Sequence, residues 1–164
     1  MTSTRSIQRR TKAADASAWL ALDHQLCFAL YSSSLAMTKL YKPLLEPLGL
    51  TYPQYLVMLV LWEGDGIGVS ELGRRLTLDS GTLTPLLKRL ETSGLLHRER
   101  DAGDERRVLL RMSPAGRALK LRAAAVPQQV ACASGCELDE LVALTTRLKT
   151  LRDSISAFSE GAAA

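Results

Sequence analysis

Three cysteines and four tyrosines hold most of the reactive potential of this chain, and their spacing is uneven. Cys27 falls a few residues after Asp23, near the start of a strongly helical stretch. Helix N-termini stabilise anions, so a thiol there is placed to react as a thiolate. The ordinary use of a lone cysteine on an apolar helix is to fill core space. The tyrosines favour reactivity instead. Tyr31, Tyr41 and Tyr52, three of the four, all flank this helix. Phenolic O–H groups can hydrogen-bond a thiolate and hold it ionised, and they can polarise the leaving oxygen of a peroxide. Tyr31 stands one helical turn from Cys27. Tyr41 lies only ~40° round the helix but ~21 Å along it, out of reach within one straight helix. If two such helices cross antiparallel in a dimer, Cys27 of one copy meets Tyr41 of the other, and Tyr52 can join from that same copy.

The other cysteines, Cys132 and Cys136, sit in ACASGC just after Pro127, where a helix should kink or break. A C-x-x-x-C pair without a neighbouring histidine or a second pair makes a poor zinc site, so no metal and no cofactor is expected. His24, three residues before Cys27, reads as a surface residue, and His97 is a weaker candidate still.

The elements that must position these groups are mostly helical. A helix is expected from about Leu20 to Leu45, bent or ended by Pro43. After the break at Pro47-Leu48-Gly49, Thr51 and Gln54 form a capping box for YPQYLVMLVLWEG, apolar nearly all round and therefore buried. Gly64, Gly66 and Gly68 read as turn residues. Ser113-Pro114 starts another helix. In the last helix, 138–158, Leu141, Leu144, Leu148, Leu151, Ile155 and Phe158 repeat at intervals of three and four, a seam for a partner helix. Residues 1–18 are expected to be a flexible basic arm and 159–164 a disordered tail.

Between these helices, residues 68–112 follow a different plan. Ser70 is a candidate N-cap for a short helix marked by Leu72 and Leu76. After Thr77–Leu78, Asp79 or Ser80 caps a second helix. Its apolar stripe is Leu83, Leu86, Leu87 and Leu90, and Gly94 ends it. The opposite face carries Ser80, Thr82, Thr84, Lys88 and Arg89: small hydroxyls that can approach base edges, then cations that can reach phosphates. A two-stranded hairpin follows, turning through Asp101-Ala102-Gly103-Asp104. Arg106 and Arg107 lie near its tip, where long cationic side chains can enter a minor groove. The order predicts a winged helix-turn-helix with the second helix as reader, inside a fold that is mainly α with a small β wing.

Composition sets the bounds. The chain has 164 residues, 46% hydrophobic, and a net charge of +4, a mild lean toward anionic partners. No apolar run approaches the ~18 residues of a membrane span, and MTSTRSIQRRTKAADAS lacks the hydrophobic core of a secretory signal. An odd number of cysteines argues against a disulfide framework, so the expected compartment is the cytoplasm.

Asp104-Glu105-Arg106 resembles the Asp-x-Arg wing signature of the MarR family of bacterial repressors. LDSGTLTPLLKRLE, residues 78–91, is similar to the recognition helix of one branch, the organic-hydroperoxide sensors called OhrR. The resemblance covers roughly residues 20–158. It implies one MarR-like chain over 19–158, with helices of 19–63 and 113–158 in a homodimer. It also implies a palindromic double-stranded DNA operator and organic hydroperoxides as effectors. In that branch a reactive cysteine stands at the position of Cys27, two tyrosines stand at those of Tyr41 and Tyr52, and the site spans two subunits. A type with a second, resolving cysteine matches Cys132 best, implying an intersubunit Cys27–Cys132 disulfide and leaving Cys136 as a secondary thiol. Two alternatives stand beside this reading. One is a MarR-type repressor released by a non-covalent small ligand, with Cys27 merely buried. The other is a thiol peroxidase that turns over through Cys27 and Cys132.

Overall fold

The computed structural model describes residues 18–104 and 106–162; the expected N-terminal arm up to residue 17 and the last two residues of the tail lie outside these. The described residues divide into two compact units, with the boundary between Lys42 and Pro43.

In the first unit, two 3-10 turns, Ala18–Leu20 and Leu22–His24, precede helix α1, Leu26–Leu45. The helix therefore begins about six residues later than its apolar spacing predicts. The 3-10 turns account for the shift: the His24 N–H donates to Ala21 O and the Gln25 N–H to Leu22 O, three-residue closures that end each turn. Apolar side chains crowd this unit but stay open in the single chain: Trp19, Leu20, Leu22, Leu26 and Leu35 are 46–84% exposed. Pro43 lies inside α1 and does not end it. The stop is Gly49, left-handed at φ 67° after the 3-10 turn Glu46–Leu48.

The second unit is built around α2, Tyr52–Glu63. Its capping box forms as expected, the Thr51 N–H donating to Gln54 Oε1 at 2.8 Å. Val57, Met58 and Leu61 are fully buried. Around α2 pack α3, Val69–Leu76, α4, Ser80–Thr92, and α5, Pro114–Ala123. The strands are β1, Ile67–Gly68, β2, Leu96–Arg100, and β3, Val108–Met112. They form one antiparallel sheet in the order β1-β3-β2, with Leu96 opposite Met112 and Arg100 opposite Val108. The hairpin was expected to have two strands, and Ile67–Gly68 adds a third by pairing with Leu110 and Leu109. That pairing also moves a cap. Gly68 is extended at the end of its strand and becomes the N-cap of α3, so Ser70 falls inside the helix rather than before it.

Helix α5 is capped by Ser113, whose Oγ accepts from the Gly116 N–H at 3.0 Å. Gly116 is required: a Cβ there would stand 2.1 Å from Leu95 O. The break near Pro127 is real, falling between α5 and α6, Val126–Ser134, with the proline in the first turn of α6. The last helix, α7, is Leu138–Ala162. It overruns the expected disordered tail by four residues, Ser159–Ala162. The Ser159 hydroxyl donates to Ile155 O at 3.0 Å and is satisfied within the helix. Along α7, Leu144, Ile155 and Phe158 of the seam are 52–79% exposed. Among the described residues no single helix is long and apolar enough to cross a membrane.

Candidate DNA interface and redox site

The reading helix α4 is fixed at its start by Asp79, the N-cap. Its carboxylate accepts from the Thr82 N–H at 2.9 Å and from the Thr82 hydroxyl at 2.8 Å. The Thr82 backbone and hydroxyl donors hold the Asp79 carboxyl below its usual value. At the other end Gly94, φ 71°, lets the chain reverse, with Gly94 N–H to Glu91 O at 2.9 Å and Leu95 N–H to Leu90 O at 3.1 Å. Leu83, Leu87 and Leu90 are buried at 0–2% exposure, so Ser80, Thr82, Thr84, Lys88 and Arg89 are turned outward and exposed. The Thr84 hydroxyl donates to Ser80 O at 2.7 Å. Both threonine hydroxyl protons are thus committed within the helix. Toward a base, these residues offer a methyl group and oxygen lone pairs.

The wing is fastened to this helix. Glu91 of α4 accepts from the Arg98 backbone N–H at 3.1 Å and from its guanidinium at 2.9 and 2.5 Å. Arg98 thereby holds the Glu91 carboxyl below its ordinary range. At the tip, Asp104 Oδ1 takes the Arg106 N–H at 3.1 Å and its Nε at 3.3 Å, while Asp104 O accepts from the Arg107 N–H at 2.8 Å. Asp104 therefore shapes the turn and aims Arg106, whose side chain is 93% exposed. Arg107, 60% exposed, reaches Asp101 Oδ2 at 3.6 Å.

Two fastenings have no strong signal in the sequence. Glu91–Arg98 is an opposite-charge pair flanking the Gly94 turn, which is the only hint of it. Asp65, inside the glycine-rich connection, accepts from the Met112 N–H at 2.8 Å and from Arg117 at 2.9 Å.

The thiols are all exposed and unpaired with one another. Cys27 is the second residue of α1, so it sits in the first turn of the helix rather than deeper inside it. Tyr31, one turn on, is 61% exposed on the same helix, and Tyr41 lies near its far end. Tyr52, the first residue of α2, Cys132, in the last turn of α6, and Cys136 belong to the second unit. Burial, with Tyr52 beside it, pushes the Tyr55 hydroxyl up. The Cys136 Sγ lies 3.6 Å from Ser134 O, just beyond the left-handed Gly135 that closes α6.

A capped helix braced against a salt-bridged wing is the apparatus of a winged helix-turn-helix transcription factor. A family model described as transcriptional regulator SarA/Rot matches residues 39–122. The HTH-type transcriptional regulator TtmR of Methylorubrum extorquens is 51% identical over 84% of this chain and 70% of its own length. The organic hydroperoxide resistance transcriptional regulator of Bacillus subtilis is 46% identical over 83% of this chain and 92% of its own. Among solved structures, reduced AbfR bound to DNA superposes with a TM-score of 0.69 at 36% identity, covering 82% of this chain and 95% of that one. A disulfide-formed AbfR superposes with a TM-score of 0.58 at 35% identity, covering 90% and 97%. This chain belongs to the MarR-type family of DNA-binding transcriptional regulators, and that family is not one of enzymes. The thiol peroxidase alternative is thereby set aside.

Proposed function

We propose that the protein is a homodimeric repressor that releases its operator when an organic hydroperoxide oxidises Cys27. The observation that carries this reading is the placement of an exposed thiol in the first turn of α1, with Tyr31 a turn away. In the first step the thiolate sulfur attacks the peroxide O–O bond, giving a sulfenic acid and releasing the alcohol. In the second, a thiol displaces water from that sulfenic acid and forms a disulfide. Cys132 of the other subunit is the proposed resolving group, with Tyr41 and Tyr52 of that subunit activating the sulfur. The relatives support the chemistry: one carries organic hydroperoxide resistance in its name, and AbfR has been solved both reduced on DNA and disulfide-formed.

Dimerisation is supported by the apolar side chains that one chain leaves in water, Leu144, Ile155 and Phe158 on α7 and Leu26 and Leu35 on α1. In the dimer, two α4 helices enter successive major grooves with half-site centres ~10 bp apart, and the Arg106 side chains reach the flanking minor grooves. Disulfide closure requires Cα atoms within ~7 Å, and the break before Pro127 is where the backbone gives most readily.

The test is a gel-shift titration with cumene hydroperoxide. Wild type should leave DNA and run as a covalent dimer on non-reducing gels. Cys27→Ser should stay bound, and Cys132→Ser should lose the covalent band while Cys136→Ser keeps it. Release of Cys27→Ser by hydroperoxide would end the redox reading. A second reading has one observation in its favour: a groove of about 570 Å³ between α3, α4 and the wing, lined by Thr84, Arg98 and Arg106. Its chemistry suits a small organic anion, and DNA release by such an anion from Cys27→Ser would select it.

A further inference from the structure

The start of α5 is fastened to both the reading helix and α2. The Ser113 hydroxyl donates to Gly94 O at 2.6 Å and its N–H to Leu95 O at 3.0 Å, tying α5 to the end of the reading helix. Trp62 Nε1 donates to Gly116 O at 2.9 Å, and Lys120 Nζ to Trp62 O at 2.8 Å, tying it to α2. The wing is also tied to α5 through Asp65. One carboxylate oxygen, Oδ1, accepts from the Gly66 N–H at 3.0 Å and from the Met112 N–H, the last residue of β3, at 2.8 Å. The other, Oδ2, accepts from Arg117 of α5 at 2.9 Å. The Asp65 side chain is 27% exposed, so the pair is only partly screened by solvent.

We propose that Asp65 is a positioning residue for DNA reading, its two oxygens setting the angle between the wing and α5. The lever is long. Arg106 lies six residues beyond Met112, about 20 Å along an extended strand, so a tilt of about 10° at the root moves the tip by about 3 Å. A minor groove is about 6 Å wide, and a displacement of that size takes the guanidinium off its target. The division between the two oxygens makes the idea testable. Asparagine at 65 keeps an acceptor for both N–H groups and loses only the pairing with Arg117.

This inference rests on the proposed role of Arg106 in DNA contact, and the experiment separates the two. Binding is measured on a duplex that the protein selects from a randomised pool, over a range of salt. Asp65→Asn and Arg117→Gln should each weaken binding about tenfold, and Arg117→Lys should recover much of the loss. Each should also flatten the salt dependence by about one phosphate's worth, the change expected for Arg106→Ala. The decisive measurement is the double variant. If Asp65 acts by aiming the wing, adding Asp65→Asn to Arg106→Ala costs little more, because the aimed group is gone. Full additivity, or no effect of Asp65→Asn and Arg117→Gln on wild type, overturns the inference. Arg117 is half exposed and away from the core, so Arg117→Gln tests the pair in a folded protein. If Arg106→Ala itself leaves affinity and salt slope unchanged, the fault lies with the proposed DNA contact instead.

Discussion

The DNA-reading region and the region around Cys27 solve opposite problems. From α3 to β3 a set of leucines is closed off within one chain: Leu72, Leu83, Leu87, Leu90, Leu96 and Leu110 are all 0–2% exposed. Over residues 19–37 the same residue types stay in water, at 37–57% exposure for Trp19, Leu22, Phe28, Leu30 and Met37. At ~25 cal/mol per Å², that open surface is a large driving force for association. The reader is complete in one copy. In the proposed dimer the surroundings of Cys27 are supplied by a second copy, so its proposed chemistry depends on assembly.

The largest effect that separates the two regions comes from core truncation. Leu87→Ala should cost about 2–5 kcal/mol, a large part of a stability of about 5–15, at every protein concentration. Leu30→Ala should cost little in a monomer. In the proposed dimer its cost appears as a thermal midpoint that rises with protein concentration, following mass action. Midpoints of Leu30→Ala and wild type that are equal and independent of concentration would remove the contrast.

A smaller effect is expected at the tyrosines. If the phenols of Tyr41 and Tyr52 stabilise the sulfur across the proposed interface, Tyr41→Phe or Tyr52→Phe should slow oxidation of Cys27 by about tenfold, the equivalent of one hydrogen bond to a charged group. Binding of the reduced protein to DNA should be unaltered. Stopped-flow oxidation at equal rates in the double variant would exclude this activation. One further substitution probes the reader alone. Asp79→Ala removes the cap of α4 and should lower the denaturation midpoint.

How much of this was legible follows the range of the interactions. The capping box at Thr51 and Gln54, the Gly94 turn, the leucine stripe of α4 and the hairpin are local, so spacing and residue type expose them. Strand β1 has two residues, too few for any alternation to register, and its pairing partners Leu109 and Leu110 lie in the far strand of the hairpin. Asp65 was invisible for the same reason: its partners Met112 and Arg117 are 47 and 52 positions away. The start of α1 was misjudged because a run of leucines continues through the 3-10 turns, where periodicity cannot distinguish them from α-helix. Cys27, Tyr41 and Tyr52 stood out by type and spacing alone. Which thiol and which phenols meet is a property of two chains, and no pattern along one chain encodes it directly.

The smallest expected effect is acid sensitivity confined to the reader. Glu91 and Asp79 both have carboxyls held below their ordinary values of 4.5 and 3.8, by Arg98 and by the Thr82 donors respectively. A carboxyl depressed in the folded state contributes stability that is fully present above its unfolded value and is lost as pH falls through the folded one. The reader should therefore soften below about pH 4, where protonation of Glu91 loosens Arg98 and frees β2 from α4. Asp79 is exposed and the Glu91 side chain is about one-third exposed, so screening keeps each contribution small. Thermal midpoints followed from about pH 6 to about pH 3 should fall for wild type and fall less steeply for Glu91→Gln, which cannot be protonated. Hydrogen exchange locates the change: amides of β2 and of the first turn of α4 should lose protection before those of α2, whose capping box relies on the neutral Gln54 and has no carboxylate to titrate. Equal acid slopes in wild type and Glu91→Gln would show that the wing is held to the helix by its buried leucines alone.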